Sequence, residues 1–220
     1  MRAQYEADSS YNRAVAVYNQ TLGVNKHLFN GTEYIDYDHR TTGSPFFSNS
    51  YFTSGTITYS GVFYNDIQIF YDELNDNAVL KNYNDTPLVL IREKVASFSI
   101  LGHQFVNLQV LASPAIKDSG FYDMLYNGNV KLFAKRKKKI VQKLSTLMSE
   151  SYFNEKVSYY ILKNNTLYTV DNKNSVLDVL KDKKSAVSKF LHQSHIKYNH
   201  NPELAMTKML AYYDSLNNTK

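Results

Sequence analysis

Between Lys131 and Lys143 the chain places seven basic residues, Lys131, Lys135, Arg136, Lys137, Lys138, Lys139 and Lys143, and no acidic one. Clustered Lys and Arg release counterions on meeting phosphate, sulfate or carboxylate groups, so this segment is the candidate site for an anionic surface, a glycan or an envelope protein. The pattern has a second reading, because lysines along an exposed strand edge discourage edge-to-edge pairing. Nucleic acid is disfavoured: Phe133 is alone inside the segment, where a base-stacking platform interleaves aromatics regularly, and no nucleic-acid motif accompanies it.

The remaining titratable residues are less organised. His192, His195 and His200 are close in sequence, and the first two, three apart on an expected helix, can share a face. Without HExxH spacing, cysteine or a completing acidic residue they read as exposed helix-end histidines, and no metal or other cofactor is implied. Asp72, Asn75, Asp76 and Asn77, then Asn82, Asn84 and Asp85, suggest calcium superficially. They lack the alternate-position oxygens, central Gly and closing Glu of an EF-hand loop, and read first as turns. Asp36, Asp38, Asp66 and Asp72 are the carboxylates to inspect for acid–base work on a glycan, which needs a pair about 5–9.5 Å apart. A GxSxG elbow, a P-loop and GxGxxG are all missing, which lowers the case for an enzyme.

These residues must be positioned by a chain of 220 residues with no cysteine, no tryptophan, 19 tyrosines and 12 phenylalanines. That length supports a core without staples, and zero cysteine removes disulfide scaffolds and thiol chemistry. No apolar run approaches the roughly 20 residues of a transmembrane helix. The net charge of +5 is uneven: residues 1–114 carry 7 basic and 11 acidic side chains, and residues 115–220 carry 18 and 9. Tyrosine-rich composition suits half-buried strand faces, where a ring packs inward and a hydroxyl reaches water.

Tyr11, Val15, Tyr18 and Leu22, capped by Asp8 or Ser9 and closed by Gly23, predict a helix over 9–22. From 28 to 111 the period changes. Short β-branched or aromatic runs at 34–37, 55–59, 67–71, 88–91, 95–100 and 105–110 alternate with turn residues and predict an antiparallel meander. Further strands are expected over 120–170, including the basic segment and a hairpin around Asn164-Asn165. Over 175–216 the pattern is helical, with Asn201-Pro202-Glu203 opening the last helix. The expected fold class is therefore α+β in a single domain over 1–220. It has an antiparallel, strand-rich N-terminal half, a curved sheet or partial barrel, packed with an N-terminal helix and C-terminal helices.

The runs LFNGTEY (28–34), GSPFF (43–47), GTITYSGVFY (55–64), IQIFYD (67–72) and GFYDMLYNG (120–128) together resemble an uncharacterised family of exported proteins of Bacteroidetes-type bacteria. The resemblance covers about residues 11–216 and supplies no catalytic residues. Ser44 stands where the family pattern carries His, which weakens any site placed there. The resemblance implies a periplasmic or outer-surface protein after signal-peptide removal, and it favours reading Met1-Arg2-Ala3-Gln4 as a trimmed leader over a natural cytoplasmic start. The expected function is that of a non-enzymatic envelope protein with a binding or scaffolding role. The alternative is a periplasmic carrier of hydrophobic or lipidic cargo, and a glycan-acting hydrolase stands third.

Overall fold

The computed structural model of the chain describes Leu28 and residues 30–37, 40–49, 51–82, 84–109, 119–144 and 149–217. Its twelve strands are β1 (Gly31–Glu33), β2 (Thr41–Thr42), β3 (Thr53–Tyr59), β4 (Val62–Asp72), β5 (Asn77–Lys81), β6 (Pro87–Leu90), β7 (Val95–Ile100), β8 (His103–Asn107), β9 (Phe121–Asn127), β10 (Lys131–Leu144), β11 (Ser149–Lys163) and β12 (Thr166–Val170). Helices α1 (Lys173–Val179), α2 (Lys184–Gln193) and α3 (Pro202–Asn217) follow.

The strands form one open sheet in the order β1-β6-β5-β4-β3-β7-β8-β9-β10-β11-β12. Two meanders diverge from β3, and every neighbouring pair on this path is antiparallel. The short β2 runs parallel to β11, with Thr41 opposite Ser151 and Thr42 opposite Tyr152, so the sheet as a whole is mixed. This corrects the expected α+β division, with its strand-rich N-terminal half between helices at both ends. The strands over 121–170 do not form a separate part but continue the same sheet, β9 pairing with β8. Among the described residues, helices of more than one turn occur only C-terminal to the sheet. The helix expected over 9–22 lies outside the described residues.

Turn chemistry sets the register. The β3–β4, β7–β8 and β11–β12 connections each have two residues, both at positive φ: Ser60-Gly61, Leu101-Gly102 and Asn164-Asn165. That is the type I′ geometry whose twist matches flanking strands. A bulge between Gly55 and Ile57 shifts β3 against β4, with Asp66 opposite at φ 51 and bonded by Ser54 Oγ at 2.8 Å.

Strand alternation sends one set of rings inward. Phe98 stacks on Phe105 with centroids 4.9 Å apart, and Phe121 meets Phe98 at 5.0 Å and Tyr71 at 6.0 Å. Tyr71 lies on β4 and Phe121 on β9, four places apart in the sheet, so the sheet must curl to bring them together. Each such ring removed from water contributes about 1.5–3 kcal/mol. The helices build a second core against the later strands: Val176, Leu177, Val187, Leu191, Met206, Met209 and Leu210 pack with Leu132, Ile161 and Val170. Helix α1 is capped by Asn172, whose side chain accepts from the Asn174 and Ser175 amides at 2.9 and 3.0 Å. Asn201 caps α3 through the Leu204 amide at 2.9 Å. Asp214 of α3 then accepts from the Asn129 amide at 2.7 Å and the Tyr126 hydroxyl at 3.0 Å, pinning the helix to the β9–β10 turn.

Tyrosine-to-carboxylate bonds recur. Tyr71 donates to Asp76 at 2.7 Å, Tyr37 to Asp72 at 2.7 Å, Tyr213 to Asp182 at 2.8 Å and Tyr159 to Glu203 at 3.2 Å. Burial first, and the neighbouring carboxylate second, hold the Tyr71, Tyr34 and Tyr159 phenols above their ordinary value. Unfolded, these groups ionise near pH 10; folded, they keep their protons beyond it. The stability they contribute is complete below about pH 10 and is lost as pH rises through the raised folded values. Urea unfolding is therefore expected to show stability falling from about pH 10 upward, less steeply in Tyr71→Phe. Tyrosinate absorbance that rose equally in native and urea-unfolded protein would contradict this.

Candidate functional site

The basic segment is strand β10, and the structure divides its cations. Lys131–Ala134 lie between β9 and β11, but from Lys135 onward pairing with β9 ends while pairing with β11 continues to Leu144. From there β10 and β11 run on as a ribbon about 30 Å long at roughly 3.3 Å per residue, flanked beyond its middle by β2, which pairs with β11 at Ser151 and Tyr152. Residues opposite one another across the ribbon share a face. One face carries Arg136, Lys138, Ile140 and Gln142 opposite Val157, Glu155, Phe153 and Ser151, with Leu144 at its end. The other carries Lys135, Lys137, Lys139, Val141 and Lys143 opposite Ser158, Lys156, Asn154, Tyr152 and Glu150.

Three cations at the ribbon's root face inward. Lys135 is only 2% exposed, its Nζ bonded to Asp76 Oδ2 at 2.7 Å and to the Phe121 and Ser119 carbonyls at 3.0 and 3.3 Å. Burial pushes this ammonium below its ordinary value, and the adjacent Asp76 carboxylate works in the opposite direction. Gly120 makes the contact possible: at φ +108, a Cβ there would overlap the Asp76 carboxylate and crowd Lys135 Nζ. Lys138 reaches Glu73 Oε2 at 3.1 Å and the Phe46 carbonyl at 2.6 Å, while its amide donates to the Glu73 carbonyl at 3.1 Å. Burial raises the Glu73 carboxyl, and Lys138 opposes the rise.

Arg136 joins the two cores. Its Nη2 lies 2.8 Å from Asp123 Oδ2 and 2.9 Å from Glu203 Oε1 at the start of α3. Asp123 also holds His103 Nδ1 at 2.8 Å, and Tyr159 donates to Glu203. Burial alone would lower the guanidinium, but hydrogen bonds to Glu203 and Asp123 overrule it and raise it. Asp123 Oδ1 is buried without a partner among the described residues. The network satisfies the buried guanidinium with a carboxylate from β9 and one from α3, so its chemistry is that of a lock between sheet and helix.

Beyond the root, the second face of the ribbon is open. Lys137, Lys139, Lys143, Lys156 and Asn154 are exposed, with Tyr152 among them. The opposite face rests near the ribbon's middle on the body, Phe153 meeting Tyr37 edge-on at 5.9 Å. Lys131 stands apart near the sheet, bonded to Asn127. Of the seven basic residues singled out by sequence, Lys137, Lys139 and Lys143 thus share the outward face. Lys156 joins them from β11, which sequence reading missed; its only signal is the cross-strand register.

The remaining candidates stay separate. Asp72 is buried and accepts from Tyr37 and from the Leu74 amide at 2.9 Å, whereas Asp66 is bonded by Ser54 and Asp36 by the Tyr37 amide. Asp38 lies outside the described residues. His192 is exposed on α2 beside an open cleft of about 950 Å³ lined by Lys181, Lys183, Lys184 and Lys189, and His195 takes φ 55 just after that helix. No three His, Asp or Glu side chains among the described residues converge as metal ligands. None of the described helices is long and apolar enough to cross a membrane. No protein-family model, curated protein or solved structure matches the chain.

If Arg136 is the lock, removing it strands the buried Asp123. Arg136→Ala is expected to lose about 3–5 kcal/mol in denaturant unfolding. Glu203→Gln, at a carboxylate 29% exposed, should lose about 1 kcal/mol or less. Small, equal losses in both variants would refute the assignment.

Proposed function

We propose that this chain is a binding protein of the cell envelope that engages an anionic partner through the outward face of the β10–β11 ribbon. One observation carries the reading: Lys137, Lys139, Lys143 and Lys156 share an exposed face on which Glu150 is the only acidic residue. Lys135, Arg136 and Lys138 of the same strand are turned inward to Asp76, Asp123, Glu203 and Glu73. Like charges gathered on an exposed ribbon repel one another and attract counterions, and an anionic partner that displaces those counterions gains affinity. Same-face residues on a strand recur about every 6.6 Å, which presents the lysines as a ladder to a repeating or extended anion. The envelope assignment draws on the family resemblance carried by the GFYDMLYNG box and its companions. The cargo reading gains no support, since rings and helices occupy both cores.

A second reading has its own observation. Beyond Lys138, whose amide is taken by the Glu73 carbonyl, β10 has no strand partner among the described residues on the side away from β11, and lysines there also deter pairing by another chain. Binding to immobilised heparin, a sulfated glycan, separates the two. Replacing Lys137, Lys139, Lys143 and Lys156 together by Gln is expected to weaken binding about tenfold or more at low salt and to flatten its salt dependence. Undiminished heparin binding in a monodisperse variant refutes the proposal, and undiminished binding with new aggregation assigns the lysines to edge protection.

A further inference from the structure

Resting on that reading, we propose that the anionic partner is a linear polysaccharide bearing carboxylate or sulfate groups, and that Tyr152 recognises its sugar rings. Charge alone accounts for the lysines but not for what lies between them. On the outward face the residues of β10 and β11 pair in rows, Lys137 with Lys156, Lys139 with Asn154, Val141 with Tyr152 and Lys143 with Glu150. In the third row β2 places Thr42 beside Tyr152, so a bar of three uncharged side chains crosses three strands between two rows that each carry a lysine. Arg40, also exposed, comes just before β2.

Tyr152 differs from the other tyrosines in what it lacks. Tyr34, Tyr37, Tyr71, Tyr126, Tyr159 and Tyr213 all give their hydroxyls to carboxylates. Tyr152 is 38% exposed, stacks on no other ring among the described residues, and bonds its hydroxyl to none of them. It stands on the middle strand of a three-stranded surface, with Lys139 and Lys143 at the diagonal positions, roughly 7–8 Å away and within reach of long side chains.

A charged sugar chain uses each part of this surface. The C–H groups on one face of a pyranose are slightly positive and pack against the negative face of an aromatic ring. Carboxylates or sulfates projecting from the neighbouring sugars then meet Lys139 and Lys143 in charge-assisted hydrogen bonds, and the sugar hydroxyls find Asn154 and Thr42. From Lys137 to Lys143 the face runs about 20 Å at roughly 3.3 Å per residue, which accommodates several sugars laid along the ribbon. Polyphosphate offers the same charge but nothing for the ring. Single-stranded nucleic acid stacks successive bases on several rings, whereas Tyr152 is the one aromatic side chain in these four rows.

Calorimetric titration of the full chain with heparin oligosaccharides, hyaluronan oligosaccharides and polyphosphate of matched length tests this. Tyr152→Thr, which keeps a strand-forming residue but removes the ring, is expected to weaken glycan binding about tenfold and Tyr152→Phe to change it by no more than about twofold. Polyphosphate binding should be the same in both variants and the parent. Tighter binding of heparin or of hyaluronan, dependent on Tyr152, supports the inference and identifies sulfate or carboxylate as the group read. Because the chain has no tryptophan, Tyr152→Trp supplies a single reporter whose emission should shift on adding glycan and stay constant with polyphosphate. Glycan binding indifferent to Tyr152→Thr, or a Tyr152→Trp emission that ignores glycan, overturns the sugar inference. If heparin binding still depends on the four lysines in that case, the broader anionic-partner reading stands. Oligodeoxythymidylate bound more tightly than either glycan, and lost in Tyr152→Thr, overturns it in favour of single-stranded nucleic acid. Heparin binding unchanged both by the four-lysine replacement and by Tyr152→Thr removes both proposals together.

Discussion

The buried ion pair between Lys135 and Asp76 is the contact on which the rest of the architecture depends. Consecutive hairpins specify only which strand lies beside which, and nothing in that ladder tells the β4–β5 turn to meet β10. Asp76 makes the meeting specific by taking the Lys135 ammonium at 2.7 Å, the Tyr71 hydroxyl at 2.7 Å and the Phe121 amide at 3.2 Å. Lys138 and Glu73 repeat the connection three residues farther along the strand. Compared with a well-packed apolar substitute, a buried pair adds little net stability, but half of one is heavily penalised. Any arrangement that buries Lys135 without Asp76 is thus raised in energy, and the curled sheet, with its aromatic interior, is selected over a flat one.

That selection explains which parts of the fold were legible in the sequence. Local signals were readable because they are satisfied locally: Asn164-Asn165 at positive φ, Ser60-Gly61, and the Asn201-Pro202-Glu203 helix start all act within a few residues. The run 95–100 is strand β7 from end to end, and 55–59 falls within β3. Misreadings occur where a long-range partner overrides local chemistry. Asn75-Asp76-Asn77 is not among these: it reads as a turn, and Asn75 and Asp76 lie in the β4–β5 turn, with Asn77 opening β5 opposite Asp72. Residues 34–37 read as a strand from their tyrosines, but Tyr34 and Tyr37 instead turn their hydroxyls onto Asp72, and β1 is the preceding Gly31–Glu33.

The candidate site was legible as a charge run and illegible as a surface, for a reason rooted in strand geometry. Period-two alternation says that Lys135, Lys137 and Lys139 share a face, but not which face is wet or where along the strand burial ends. The carboxylates that absorb Lys135, Arg136 and Lys138 come from β9, from the β4–β5 turn and from α3, the farthest 67 residues away in sequence. Asp76 reads as a turn residue and Glu203 as part of a helix start, and their roles as partners of β10 follow only from the tertiary fold. Lys156 was invisible for the complementary reason, since a lysine amid mixed polar residues gains meaning only from lying opposite Lys137.

Strand β10 therefore performs two tasks that impose opposite demands on the same residue type. At its root a lysine must lose water, so each has a carboxylate within 3.1 Å and the surrounding backbone is shaped to admit it, as Gly120 is for Lys135. Past the last pair with β9, one long edge of β10 is no longer covered by a full strand, and Lys139 and Lys143 are exposed there. The loss of β9 from one side of β10 thus helps to convert a run of nearly identical residues from internal fasteners into an exposed cationic face. The boundary falls between Arg136 and Lys139, and it follows from where β9 begins in the chain. Phe121, placed by Asp76 beside Tyr71, starts that strand, so the contact that curls the sheet also determines how much of β10 runs on without β9.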